Sequence, residues 1–180
     1  MTQTSPDRRG RPRTALAGVV LAVALVAPAA AQAHISVHPN TVPAGAFATL
    51  DVRMPGEQEG AHVTKLDLLL PSGFTSVDYQ NVPGWNVSEV QTKLTKPIQT
   101  DNGPVNQEVS QIIWTWTGPL GRVDNGQFID FPLSVAIPGD AAGKTLKFKA
   151  VQSYSNGQVV RWIEPSLDDP NPAPTINVTA

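Results

Sequence analysis

The chain has 180 residues, with 13 lysines and arginines, 15 aspartates and glutamates, and no cysteine. Four of the basic and one of the acidic side chains lie in residues 1–33, so the remainder is more acidic than the whole chain. This balance excludes the basic surface that nucleic-acid binding requires. The lack of cysteine excludes disulfides and thiolate metal sites, so any metal must be bound by nitrogen or oxygen.

Residues 1–33 have the three zones of a secretory signal peptide in the usual order. A basic zone of four arginines precedes the apolar run Ala15–Ala30, and Ala31-Gln32-Ala33 is an A-x-A cleavage site. The run is shorter than the roughly 18 to 20 residues that span a bilayer, and no later segment spans one. We therefore predict cleavage, export to the periplasm or the medium, no membrane anchor, and one mature domain, residues 34–180.

The predicted mature chain begins with His34. Its α-amine and its ring Nδ1 can close a chelate on a single metal ion, which an internal histidine cannot do. Copper(II) prefers a tetragonal field of nitrogen and oxygen donors and leads the affinity order of the divalent first-row metals. His38 would lie about 13 Å further along a straight strand, too far to share the ion. The sequence thus predicts a copper(II) site centred on His34.

Runs of β-branched and apolar residues, closed by turn residues, predict strands along the mature chain, and no helical period is present. The predicted strands are Phe47–Met54, Val63–Leu68, Trp85–Val90, Ser110–Trp116, Phe128–Ile137, Thr145–Tyr154, Val159–Ile163 and Ile176–Val178. Their number and spacing predict an all-β fold, a two-sheet antiparallel β-sandwich.

Two side chains near the first two strands could add to a metal site. Glu57 follows Pro55-Gly56 at a strand end, where a constrained loop could direct its carboxylate toward the chain terminus, although surface glutamates usually have no specific role. His62 stands at the start of the next strand. With His34 it would form a two-histidine brace and indicate a copper oxygenase.

The Asn156-Gly157 pair between two strands predicts a type I′ hairpin, because Asn and Gly accept positive φ. That turn would pair Tyr154 with Val159 and Val151 with Trp162. By its sequence position, Trp162 is either a core residue or an aromatic cap over a bound cation. Asp168–Pro174, with three prolines, predicts a loop.

These residues resemble the YcnI-like copper-binding family over nearly the whole mature chain. The likeness is carried by His34-Ile35-Ser36-Val37-His38-Pro39, Ala44-Gly45, Met54-Pro55-Gly56-Glu57, Pro83-Gly84-Trp85, Trp116, Asn125–Phe131, Tyr154-Ser155-Asn156-Gly157 and Trp162. The resemblance implies an immunoglobulin-like or cupredoxin-like sandwich that binds copper(II) in a mono-histidine brace. It implies His34, Glu57 and Trp162 as the metal-site residues.

Two features depart from the family pattern. Gln127 stands where family members commonly have glutamate, and we expect it to alter a structural loop rather than the site. Many members also end in a membrane anchor, which we do not expect here.

The resemblance implies a non-enzymatic role in copper homeostasis, as a chaperone or sequestering module that exchanges copper with a transporter or another chaperone. Two rival functions are the copper oxygenase that uses His34 and His62, and a metal-free surface adhesion sandwich. Peroxide production with ascorbate would identify the first. Failure to retain one equivalent of copper after dialysis would favour the second.

Overall fold

The computed structural model describes residues 1–2, 34–100 and 102–180. The predicted signal peptide, apart from its first two residues, lies outside the described residues together with its cleavage site. No helix in the described ranges is long and apolar enough to cross a membrane.

The chain folds into β-strands, with a short 3₁₀ turn at Gly139–Ala141. The strands are β1 (Ser36–His38), β2 (Thr41–Pro43), β3 (Phe47–Pro55), β4 (Val63–Leu69), β5 (Val77–Tyr79), β6 (Trp85–Thr100), β7 (Gly103–Trp116), β8 (Phe128–Ala136), β9 (Thr145–Lys147), β10 (Lys149–Tyr154), β11 (Val159–Trp162) and β12 (Thr175–Thr179). The all-β prediction is confirmed.

Two antiparallel sheets form the main body of the domain. One has the strand order β1-β3-β8-β5, and the other has the order β11-β10-β4-β7-β6. A third sheet, β2-β12-β9, contains the parallel pair β2–β12 and was not predicted from the sequence. The predicted antiparallel sandwich is confirmed, with this smaller sheet added to it.

The core lies where apolar residues alternate along the strands. In β3, Leu50, Val52 and Met54 are buried at every second position, as expected for a strand with one face inward. Phe131 of β8 stacks on Trp114 of β7 at 4.7 Å between ring centroids and meets Trp85 of β6 at 5.1 Å. These aromatic contacts join the four-stranded sheet to the five-stranded sheet.

Strand boundaries differ from the prediction by more than one residue in two regions. The predicted strand Thr145–Tyr154 is divided at Phe148 into β9 and β10. Strands β6 and β7 run on to Thr100 and Gly103 and form one long hairpin. Strand β6 is the last in its sheet, and its pairing with β7 shifts register after Val90 and again after Lys93.

The predicted register of the β10–β11 hairpin is wrong by one residue. Val159 pairs with Ser153 rather than Tyr154, and Trp162 pairs with Ala150 rather than Val151. A type I′ turn needs positive φ at both central residues, but only Gly157 has it, at 84°, and Asn156 does not. The Asn156 side chain instead accepts a hydrogen bond from the backbone N–H of Gln158 at 3.0 Å. The loop is therefore longer than predicted, and Trp162 faces the core beside Gln152.

The predicted loop over Asp168–Pro174 is present. Within it, Pro172 forms an isolated parallel bridge with Glu164, which precedes the loop.

Candidate metal centre

His34 lies two residues before the start of β1, an edge strand of the four-stranded sheet. The β1–β3 pairing matches Ser36 with Arg53, which brings His34 toward the end of β3 at Pro55. Ile35 and Val37 point inward and are buried, so they anchor this segment to the core. The ring of His34 contacts Trp162, with centroids 5.4 Å apart and planes inclined at 57°.

Trp162 ends β11 and is fully buried. Its indole N–H donates a hydrogen bond to the Oε1 of Gln152 at 3.1 Å. The Nε2 of Gln152 in turn donates to the backbone carbonyl of Pro55. The tryptophan that contacts His34 is therefore connected, through one amide side chain, to the end of β3.

Glu57 is half-buried in the loop that follows β3. Two backbone hydrogen bonds fix this loop to a neighbouring turn: Gly56 N–H donates to the Gln127 carbonyl at 2.8 Å, and Gly126 N–H donates to the Gly56 carbonyl at 3.0 Å. A Cβ on residue 56 would lie 2.3 Å from the carbonyl oxygen of Asp124, so only glycine fits there. The loop is held by close backbone packing on this turn.

Tyr154 connects the Glu57 loop to β10. The backbone N–H of Glu57 donates to the Tyr154 hydroxyl at 3.4 Å. The pKa of Tyr154 is raised to about 12, chiefly by burial; the hydrogen bond from the Glu57 amide acts against this rise, and the nearby Glu57 carboxylate adds to it. The phenol therefore stays protonated at neutral pH and accepts that amide hydrogen.

The three predicted site residues lie at one end of the sandwich but do not line one cavity. A cavity of about 180 Å³ is bordered by His34, Pro55 and Gly56. Glu57 borders a separate, more open groove of about 460 Å³ together with Arg161. The structure thus brings His34 into contact with Trp162, and it links Glu57 to them through the backbone of Pro55 and Gly56.

The other histidines have different surroundings. The ring of His62 meets the edge of Trp116 at 4.7 Å, a different tryptophan from the one beside His34. His38 is exposed, and its Nε2 is 3.0 Å from the hydroxyl of Ser36. Among the described residues, no group of three or more histidine, aspartate or glutamate side chains is arranged to hold a metal ion.

Gln127 closes the turn that supports the Glu57 loop. Its Oε1 accepts the backbone N–H of Asp124 at 3.0 Å, and its own carbonyl accepts the N–H of Gly56. These contacts give Gln127 a structural part in the loop, and Gln127 also borders the cavity beside His34.

Sequence reasoning missed Gln152 and Tyr154. Both occupy inward positions of β10, two residues apart, and both are buried. A polar glutamine in the inward phase of an alternating strand was the available signal, because a buried polar group needs hydrogen-bond partners. The wrong hairpin register concealed it by pairing Trp162 with Val151.

Comparisons with known proteins agree on the family and the fold. The family described as "Domain of unknown function (DUF1775)" matches residues 34–178. The "Copper-binding protein CutI" of Bacillus subtilis (strain 168) is 29% identical over 134 residues, 74% of this chain and 57% of the relative. The chain thus spans little more than half the length of that relative.

A solved structure of an uncharacterized protein from Nocardia farcinica, described as having an immunoglobulin-like fold, is 27% identical and superposes with a TM-score of 0.61. The match covers 82% of this chain and 99% of the Nocardia chain. The chain therefore belongs to the DUF1775 family, the YcnI-like family that its sequence resembles.

Proposed function

We propose that the mature protein binds one copper(II) ion at its N-terminus. The α-amine and Nδ1 of His34 and the carboxylate of Glu57 are the ligands, and the indole of Trp162 lies against the bound ion. The observation that carries this proposal is the contact between the rings of His34 and Trp162, 5.4 Å apart at the edge of the core. A buried indole face beside a cation is favourable because of the ring quadrupole.

The chemistry of the donors fits copper(II). Two nitrogens from one terminal residue and one carboxylate oxygen supply the mixed nitrogen and oxygen field that this ion prefers, and the chain has no thiol to offer. The match to the family begins at His34, and a relative 29% identical is named as a copper-binding protein. Both findings support copper as the metal and His34 as the first mature residue.

We propose a non-enzymatic role in copper homeostasis outside the cytoplasm. The protein would hold copper(II) as a chaperone or sequestering module and exchange it with a copper transporter or another chaperone. The exposed position of His34 supports exchange, because a partner can reach the ion without unfolding the core.

The experiment that tests this function adds one glycine before His34. The addition turns the His34 amine into an amide and breaks the chelate, while every side chain remains. We expect unchanged thermal unfolding without metal, a sharp loss of copper(II) affinity in titration calorimetry, and loss of the stabilisation that bound copper confers on the native start.

Glu57→Gln tests the carboxylate in the same assay. It keeps the shape of the side chain and removes the charge that offsets the dication, so copper(II) should bind more weakly. Glu59→Gln is the matched control, since Glu59 is exposed two residues further on.

For the glycine extension, copper(II) affinity equal to that of the native-start protein would contradict the proposal that the His34 amine is a ligand.

A further inference from the structure

Apart from aromatic residues, Gln152 is the one buried polar or charged side chain among the described residues, and it has no exposed surface. A buried amide is costly unless its donor and acceptor both find partners. Both partners of Gln152 belong to the candidate metal centre: Trp162 donates to it, and the carbonyl of Pro55 accepts from it. The buried amide of Gln152 thus joins Trp162, which contacts His34, to Pro55, which leads to Glu57.

The orientation of this amide is fixed by chemistry. An indole N–H can only donate, so the oxygen of Gln152 must face Trp162. A backbone carbonyl can only accept, so the Nε2 must face Pro55. Reversing the amide would oppose donor to donor and acceptor to acceptor.

Each end of this bridge leads to a proposed site residue. On one side, the indole of Trp162 contacts the ring of His34. On the other, Pro55 is followed at once by Gly56 and Glu57, whose loop is also held by Gln127 and Tyr154. Movement of the Gln152 side chain would therefore shift the surroundings of both His34 and Glu57.

We propose that Gln152 is a positioning residue of the copper site. It holds the indole of Trp162 against His34 and ties the start of the Glu57 loop to the same point, so that the ligands converge before copper arrives. This inference rests on the proposed function. Groups that orient metal ligands from outside the ligand set typically change metal affinity by about 10- to 100-fold when they are removed.

The test replaces Gln152 by methionine, which keeps the length of the side chain and removes both hydrogen bonds. We expect copper(II) affinity to fall about tenfold or more. We also expect the electron paramagnetic resonance spectrum of bound copper(II) to change, because the ligands no longer have one fixed arrangement. A role limited to stability would lower the unfolding temperature and leave this spectrum unchanged.

Gln111→Met is the matched control. Gln111 is a half-buried glutamine on β7 whose amide donates to the side chain of Asp67, within the five-stranded sheet. This variant should keep the wild-type copper affinity and spectrum.

Gln152→Leu provides a second variant that decides the question if Gln152→Met does not fold. A leucine at this position can neither accept from Trp162 nor donate to Pro55, and it adds no charge to the core. We expect quenching of tryptophan fluorescence by copper to persist and the resonance spectrum to change. A wild-type spectrum and affinity in whichever Gln152 variant folds overturns the positioning role alone, whereas wild-type protein that takes up no copper overturns the proposed function as well.

Discussion

Two buried tryptophans differ in what their indole nitrogens contact. The N–H of Trp162 is bonded to Gln152, whereas the N–H of Trp114 has no hydrogen-bond partner among the described residues. Both side chains are fully buried. Replacing each by phenylalanine removes a similar volume, but only the change at 162 leaves another buried polar group, the Oε1 of Gln152, without its partner.

We expect Trp162→Phe to lower the free energy of unfolding of the metal-free protein by about 1 to 3 kcal/mol more than Trp114→Phe, since an orphaned buried acceptor costs about that much. Urea unfolding of the two variants beside the wild type measures the difference. Equal losses, or a larger loss at 114, would mean that the Gln152 bond contributes little to stability.

Ionisation of the Tyr154 hydroxyl should make the free energy of unfolding depend on pH at high pH. Its pKa is about 12 in the folded protein and about 10 when unfolded, so the folded state holds the proton more tightly. The stabilisation is fully present below about pH 10 and is lost as the pH rises toward about 12. We expect the unfolding free energy of wild-type protein to fall more steeply over this range than that of Tyr154→Phe.

Glu57→Gln should also shift the tyrosinate absorbance of Tyr154 to lower pH, because the Glu57 carboxylate helps to raise this pKa. If the unfolding free energies of wild-type and Tyr154→Phe protein fall in parallel between about pH 10 and pH 12, the raised pKa of Tyr154 is contradicted.

At the scale of elements, the Glu57 loop depends on its close approach to the Asp124–Gln127 turn. In Gly56→Ala the new methyl group would clash with the backbone carbonyl oxygen of Asp124, which cannot move away as a flexible side chain could. We expect this variant to lose about 1 to 3 kcal/mol of stability, as overpacked sites do, and to bind copper(II) more weakly because Glu57 is displaced.

Gly139→Ala is the control for that change. Residue 139 has open space around its would-be Cβ, and its φ is not in the left-handed region. Its unfolding temperature and copper affinity should match those of the wild type. A Gly56→Ala protein that also matches the wild type would show that the loop can move without consequence.

Most strands could be predicted because alternation is a local signal that each strand carries by itself. Strand β3 and strand β4 were predicted nearly to the residue for this reason. The strands Ser36–His38, Thr41–Pro43 and Val77–Tyr79 were missed because three residues are too few to show a period. Hairpin register was wrong because Asn156 uses its side chain, rather than positive φ, to make the turn.

For the whole molecule, the sequence indicated where the proposed metal site begins but not which residues support it. His34 could be found from the chemistry of a chain terminus, and Glu57 and Trp162 from a family resemblance. The bridge through Gln152 depends on contacts between β10, β11 and the end of β3, which are far apart in the chain. Such contacts depend on tertiary packing, and no local pattern encodes them.

The irregular pairing of β6 bears on whether these molecules associate through their sheet edges at high concentration. As the last strand of its sheet, β6 presents one edge that no described strand covers. Lys93, Lys96 and Pro97 lie in it, and the register shifts fall close by. Proline supplies no amide hydrogen, and lysines repel a second copy of the same edge, so these residues disfavour extension of the sheet along it. The longest edge strand of this domain thereby carries its own barrier to edge-to-edge aggregation.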